Sequence, residues 1–269
     1  MKESDKVFAG SIPAIYDRYM VPLIFTPYAN ELAQRLADIT SGSVLETAAG
    51  TGVVTRELAR VLPRSVSITA TDLNQSMIDF AARQGVPERV TWQQADALAL
   101  PFGDDTFIAL VCQFGVMFFP EKRTAFREAR RVLKPGGRLL FTAWDRIEEN
   151  DFTQTVTEAV AAAFPNDPPR FMARTPHGYH DAATIRGDLD AVGFTKVAVE
   201  TVSRRSRADS PRDIAIGICQ GTPLRNEIEA RDRNRLAEVT DLATNAIAAR
   251  FGAGPVDGKI QALVVTAVK

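Results

Sequence analysis

The chain has 269 residues, 45% of them hydrophobic, and balances 32 lysines and arginines against 33 aspartates and glutamates. That length and apolar content suit one large domain, or one domain with an elaboration. The even charge balance argues against a broad electrostatic grip on nucleic acid or anionic lipid, so a nucleic-acid partner is not expected. Arg204, Arg205 and Arg207 form the tightest basic cluster and read as a solvated face beyond a strand. The two cysteines, Cys112 and Cys219, lie far apart and form no CxxC pair, so no zinc or redox motif is visible. Cys112 sits in an apolar run and reads as a small buried hydrophobe, a usage that fits a cytoplasmic protein. The start, MKESDKVFAGSIP, lacks the apolar stretch of a signal peptide. No run of about 18 apolar residues is present, so no membrane span is expected.

Taken in chain order, the first 40 residues read as a helical segment, including 22–39, outside the repeating pattern that follows. Short β-rich runs then alternate with amphipathic stretches. Residues 43–47 predict a strand and 53–62 a helix, with Val54, Leu58 and Val61 on one face. Residues 66–71 predict a second strand. Residues 74–84 predict a helix with Asn74 as N-cap and Gly85 as its stop. A third strand is expected at 89–94 and a fourth, nearly all apolar and so covered on both faces, at 106–113. Residues 121–133 carry helical periodicity until Pro135-Gly136-Gly137 turns the chain into a fifth strand at 138–144. Beyond it, helices are expected at 151–164, at 182–192 and over most of 210–251, with strands at 195–202 and 260–268. Strands alternating with helices at this spacing predict an α/β fold with a doubly wound, mostly parallel sheet. The expected organisation is a helical segment or lid over 1–40 and a domain over 41–269. Its helical insertions fall near 150–180 and 210–251.

In an open parallel sheet, ligands sit at the carboxyl ends of the strands. The loop after the first strand reads Glu46-Thr47-Ala48-Ala49-Gly50-Thr51-Gly52. Small residues let backbone approach a ligand, Gly50 and Gly52 take positive φ without steric cost, and the following helix start offers free N–H groups. A pyrophosphate site prefers a small third position, yet Thr55 stands there. Glu46 brings a negative charge beside the loop, which repels pyrophosphate but suits the ammonium of an amino-acid moiety. Asp72 ends the second strand, where a carboxylate can accept both hydroxyls of a ribose.

Residues 44–52, Thr71-Asp72, Ala95-Asp96-Ala97, residues 102–107 and Leu133-Lys134-Pro135-Gly136-Gly137 together resemble the class I S-adenosylmethionine-dependent methyltransferases. Within that superfamily the chain looks like the ubiquinone/menaquinone-biosynthesis type and its small-molecule relatives. The match spans about residues 40–145. The family pattern usually has glycine where this chain has Ala48. The resemblance implies a Rossmann-like, seven-stranded methyltransferase fold, S-adenosyl-L-methionine as cofactor and a small-molecule substrate. It also implies roles: Glu46, Ala48, Gly50 and Gly52 along the methionine portion, Asp72 on the ribose and Leu73 against the adenine. Asp96 would accept the adenine amino group, the Ala97 N–H would meet a ring nitrogen, and Gln113 would face the methionine end. Two other readings share part of this pattern, a nicotinamide-dependent oxidoreductase and a non-catalytic S-adenosylmethionine-binding regulator.

Gln113-Phe114-Gly115-Val116 follows the fourth strand. It lacks the Asn/Asp-Pro-Pro-aromatic segment of base-amine methylases and clustered carboxylates for magnesium, so no metal is expected. Phe114, Met117, Phe118 and Phe119 either wall an apolar substrate pocket or pack as core. Tyr16, Tyr19, Phe25 and Tyr28 either form a lid or the apolar face of a packed helix. Tyr16, His177 and His180 are the candidates for a base. The histidines sit in a Pro-Gly-rich stretch where they serve as readily as structural or solvated residues. Nothing in the residues decides oligomeric state, and a homo-oligomer is compatible with them.

Overall fold

The computed structural model describes residues 12–86 and 88–269. Seven strands, β1 (Gly42–Glu46), β2 (Val66–Asp72), β3 (Val90–Gln94), β4 (Phe107–Gln113), β5 (Leu133–Trp144), β6 (Thr195–Ala208) and β7 (Val256–Val268), form one sheet. Their order is β3-β2-β1-β4-β5-β7-β6. The first five are parallel, and β7 runs antiparallel to both β5 and β6. Strand order reverses between β1 and β4, so the crevice at their carboxyl ends is the switch point.

Period-two alternation divides the sheet residues between two cores. Val44, Ile68, Ala109, Val111, Leu140 and Val264 face one side. Leu45, Leu110, Cys112, Leu139, Phe141 and Val265 face the other. Helices α3 (Val53–Val61) and α2 (Thr26–Gln34) cover the first core, and α5 (Lys122–Val132) and α8 (Ala182–Asp190) contribute to the second. Helix α4 (Gln75–Ala82) follows β2. Asn74 stands at its N-cap, but its side chain makes no capping bond; its Nδ2 turns back to Asp72. Gly85 ends the turn at φ 73°.

Three regions differ from the sequence expectations. First, β5 begins at Leu133, not 138: Leu133 pairs with Phe107, and the register then shifts so that Arg138 pairs with Ala109. The intervening turn needs Gly136 at φ 76° and Gly137 where a Cβ would lie 2.8 Å from the Lys134 carbonyl. Second, β6 runs on to Ala208, so Arg204, Arg205 and Arg207 lie inside an edge strand, not beyond one. All three are ion-paired, Arg204 with Glu31 at 2.6 Å, and Arg205 and Arg207 with Asp257 at 2.6 and 2.9 Å.

Third, the N-terminal segment is only partly outside the core. Helix α1 (Ile12–Ile15) passes into a π-helical run, Tyr16–Phe25, and then into α2. Residues 1–11 of the expected lid lie outside the described residues. Prolines explain the π register. A proline has no N–H to give the carbonyl four residues back and its ring clashes there. Pro22 interrupts the run at Arg18 and Pro27 at Leu23. The Thr26 N–H instead reaches the Val21 carbonyl five residues back, and the Leu23 carbonyl accepts from Ser206 Oγ at 2.8 Å. After Pro27 the α register resumes, and Ala29, Leu32, Ala33 and Leu36 are fully buried on the sheet.

The second half adds α6 (Asp151–Ala163), the short α7 (Phe171–Arg174), α9 (Pro211–Gln220), α10 (Leu224–Arg231) and α11 (Leu236–Phe251). Helices α6, α9 and α11 pack on one another, and α9 also packs against the π-helical run. The elaboration therefore braces the N-terminal segment. Leu32, in the fully buried stripe of α2, tests that this segment is core. Leu32→Ala is expected to lower unfolding stability by about 2–5 kcal/mol, the usual cost of such a cavity. Urea denaturation checks this, and a change below about 0.5 kcal/mol, as at surface sites, contradicts it.

Candidate active site

The loop after β1 is shaped by three left-handed residues, Ala48 (φ 53°), Gly50 (φ 57°) and Gly52 (φ 82°). Its N–H groups are held by neighbouring strands: Thr47 N donates to Val111 O and Ala49 N to Thr71 O, both at 2.9 Å. Gly50 N donates to Asp72 Oδ2 at 2.9 Å, and Asn74 N to Asp72 Oδ1 at 2.8 Å. One carboxylate thus fixes the loops after both β1 and β2. A Cβ on Gly50 would meet nothing within 4 Å, because its backbone faces open space. Gly52 serves packing, since a Cβ there would sit 2.8 Å from the Trp92 ring.

Ala48 is an L-residue in a conformation glycine prefers, at a cost of roughly 1–2 kcal/mol. Its methyl is accommodated by Gly115, where a Cβ would lie 2.5 Å from Ala48 Cβ and 2.7 Å from Cys112 Sγ. The glycine that the loop lacks is matched by one after β4.

A cleft of ≈ 910 Å³ opens at this switch point. Ala48, Gly50, Asp72, Leu73, Asp96, Ala97 and Gln113 line it, all of them sequence candidates for cofactor contact. Glu46 and Gly52 lie behind the lining. Among the described residues, the charged side chains that line the cleft are Asp72 and Asp96. Asp96 Oδ1 also accepts from Leu98 N at 2.9 Å, which sets the turn. Asn74 and Met77, from the start of the next helix, join the lining too, a role that their helical periodicity does not signal.

Glu46 is buried, and its carboxylate accepts from Thr55 Oγ1 at 2.6 Å. Thr55, too large for a pyrophosphate fingerprint, is the hydroxyl partner of this acid. Burial pushes the Glu46 carboxyl up to about 8, against the lowering effects of Thr55 and Arg56. Burial also raises Asp72, opposed by the N–H groups of Asn74 and Gly50. Arg56 turns elsewhere, donating to Thr51 O at 2.8 Å and lying 3.8 Å from Asp17.

The remaining wall is aromatic. Tyr16, Phe114, Phe118, Phe119 and Pro120 line the cleft. Tyr16 stacks on Phe25 at 4.9 Å, and its phenol is raised chiefly by burial and then by the Asp72 charge. Phe114 takes φ 51° and stacks on Trp144 at 3.8 Å with rings 5° from parallel. Other candidates are not brought to this wall. Met117 is buried beneath it, and Tyr19 lies under Arg18 beside Gly217. Tyr28 is fully buried, donating to Val202 O at 2.8 Å. His177 is buried behind Trp144, ring centroids 6.1 Å apart, and its Nδ1–H donates to Asp145 O at 2.7 Å. Burial drops its imidazole to about 4. His180 Nδ1 donates to His177 O at 2.8 Å, and neither histidine lines the cleft. Among the described residues no three potential metal ligands cluster.

A family model described as a methyltransferase domain matches residues 44–137, the stretch from β1 to the turn within β5. The ubiquinone/menaquinone biosynthesis C-methyltransferase UbiE of Marinomonas sp. is 32% identical over 173 residues, covering 60% of this chain and 69% of that protein. The chain belongs to the S-adenosylmethionine-dependent methyltransferase family. Two solved structures share the fold of this methyltransferase. One is a phosphoethanolamine N-methyltransferase from Haemonchus contortus in complex with S-adenosyl-L-methionine: TM-score 0.61, 15% identity, 98% of this chain and 58% of that one. The other is the [4+2]-cyclase SpnF: TM-score 0.58, 22% identity, 91% of this chain and 80% of that one. Fold is thus shared across different reactions, and the acceptor has to be argued from the site. No described helix of the methyltransferase is long and apolar enough to cross a membrane.

The raised Glu46 carboxyl sets a pH dependence. Its folded value, about 8, exceeds the ordinary carboxylate value of 4.5, so the folded protein holds this proton more tightly than the unfolded chain. The stability it contributes is complete below 4.5 and is lost as pH rises to 8. Without ligand, the wild type is expected to lose stability across that window, and Glu46→Gln to flatten the slope. Denaturation at several pH values checks this; parallel slopes in the two proteins contradict it.

Proposed function

We propose that this methyltransferase holds S-adenosyl-L-methionine in the 910 Å³ cleft through the loops after β1, β2 and β3 and transfers its methyl group to a small, largely apolar acceptor. The observation that carries the reading is the charge of the lining: two carboxylates, Asp72 and Asp96, and no lysine or arginine among the described residues. Such a lining suits a cationic ligand with hydroxyl and amino donors. It repels the pyrophosphate of a nicotinamide cofactor. The lining also fits the cofactor's parts. Asp72 accepts from ribose hydroxyls with lone pairs left after Gly50 and Asn74. Leu73, 41% exposed and apolar, offers a face to the adenine, with Asp96 and Ala97 at its polar edge. Gly50 leaves the backbone open to the amino-acid end, and an ammonium bound there would favour ionisation of the buried Glu46 carboxyl.

When bound, the sulfonium supplies an electrophilic methyl group for in-line displacement. The chain's own contribution is alignment and exclusion of water. Tyr16 and Phe118 flank the opening from two elements, the π-helical run and the turn after β4. The lining of Tyr16, Phe114, Phe118, Phe119 and Pro120 favours an apolar acceptor by burial alone. C-methylation in ubiquinone and menaquinone biosynthesis, the activity named for the relatives, is one chemistry this wall accommodates. Of the candidate bases, Tyr16 alone lines the cleft. We further read the chain as a cytoplasmic enzyme whose partner is the small molecule, its net charge of −1 supporting this over nucleic acid. We assign residues up to 40 to the lid, and 41–269, with the helices that brace it, to the catalytic domain.

Calorimetry with S-adenosylhomocysteine is expected to give micromolar binding, on the order of −8 kcal/mol, and with NAD no isotherm. Asp72→Ala is expected to weaken the first by about 1.5–3 kcal/mol. An isotherm with NAD and none with S-adenosylhomocysteine sinks the reading. With an acceptor in hand, Tyr16→Ala and Phe118→Ala are expected to reduce turnover while leaving S-adenosylhomocysteine affinity nearly unchanged. Equal losses in both would place these residues on the cofactor instead.

A further inference from the structure

Side-chain donors meet three carbonyls of the π-helical run, at alternate positions. Thr26 Oγ1 donates to Val21 O at 3.0 Å, Ser206 Oγ to Leu23 O at 2.8 Å, and Gln113 Nε2 to Phe25 O at 2.8 Å. The first two fasten the run to α2 and to the edge strand β6. The third differs, because Gln113 ends β4 and lines the cleft. A carbonyl oxygen only accepts, so the amide must present its NH₂ to Phe25, leaving Oε1 as its second polar atom. Phe25 in turn stacks on Tyr16, which lines the same cleft. One amide therefore touches both the lid's anchor and the cavity that the lid covers.

We propose that Gln113 is a positioning residue that couples the π-helical lid to the methionine end of the cofactor through the two ends of its amide. This rests on the placement of the cofactor given above. A donor group on the ligand that binds Oε1 polarises the amide and strengthens its bond to the Phe25 carbonyl. Ligand binding thereby tightens the lid. By linkage, a closed lid raises ligand affinity by the same factor. The coupling holds the Tyr16 ring, through Phe25, more firmly when the cofactor end of the cleft is filled.

Hydrogen exchange of the amides in residues 16–34, with and without saturating S-adenosylhomocysteine, tests this. In the wild type the ligand is expected to slow exchange by on the order of twofold, the effect of strengthening one existing buried hydrogen bond. Gln113→Met keeps the side-chain length and removes both polar ends. It is expected still to bind at higher ligand concentration but to lose the ligand-dependent slowing. Gln113→Glu gives a sharper readout. Its carboxylate faces the Phe25 carbonyl and opens the contact, whereas its protonated form can donate there and restore it. Burial beside a carbonyl raises such a carboxyl above the ordinary range. Ligand-dependent slowing is therefore expected to return in this variant as pH falls.

The titratable and charged groups around this point are Glu46, Asp72 and Cys112 from the sheet, Arg56 from α3, and Tyr16 and Asp17 from the lid. All are present in the wild type, whose exchange ratio at each pH is the control. A glutamine that merely packs would change stability in both variants without altering the ligand-dependent ratio or giving it a pH dependence. Equal slowing in wild type and Gln113→Met at saturation overturns the coupling. Ligand that binds the wild type without slowing exchange overturns it as well, and leaves the functional reading standing. Failure of S-adenosylhomocysteine to bind the wild type removes both.

Discussion

A single buried carboxylate organises the crevice. Asp72 ends β2, accepts the N–H of Gly50 from the loop after β1, and accepts the N–H of Asn74 from the loop before α4. Burial disfavours its charge, and the two N–H bonds oppose that cost. The loop after β1 can then hold Ala48, Gly50 and Gly52 in left-handed conformations through contacts of the chain's own. Preorganisation of this kind lowers the ordering cost of binding.

Around that centre the cleft has two kinds of wall. The loops of the first three strands present carboxylates and open backbone to it. The π-helical run and the turn after β4 present aromatic rings. The two meet at Gln113 and Phe114. Phe114 is locked between Phe25, 5.7 Å away, and Trp144, stacked at 3.8 Å, so the aromatic wall rests on a stack of rings. The helices α6, α9 and α11 brace the π-helical run from behind, which gives the irregular second half of the chain a role in the site.

The strands and helices of the βαβ region were legible because period and punctuation agreed there. Glu46, Asp72 and Asp96 announced themselves by ending strands or following them. What stayed hidden depends on contacts remote in sequence. The register shift between Leu133 and Arg138 needs the partner strand β4. The length of β6 is set by pairing with β7, so its arginines could not be placed inside a strand from their own segment. The π register follows from two prolines five residues apart, a signal present in the sequence but easily read as an ordinary helix start. The exchange of glycine between Ala48 and Gly115 and the bond from Thr55 to Glu46 join segments that no local pattern connects. His177 and His180 show the converse: residue type suggested catalysis, but each Nδ1 bonds a backbone carbonyl and neither ring lines the cleft.

The central claim is that this crevice, organised by Asp72, is the S-adenosylmethionine site. A crystal structure with S-adenosylhomocysteine tests it most directly. The account predicts the ribose against Asp72, the adenine between Leu73 and Ala97, and the homocysteine end beside Gly50 and Gln113. Ligand seated elsewhere, or seated here with Asp72 turned away and the Gly50 contact broken, would contradict it.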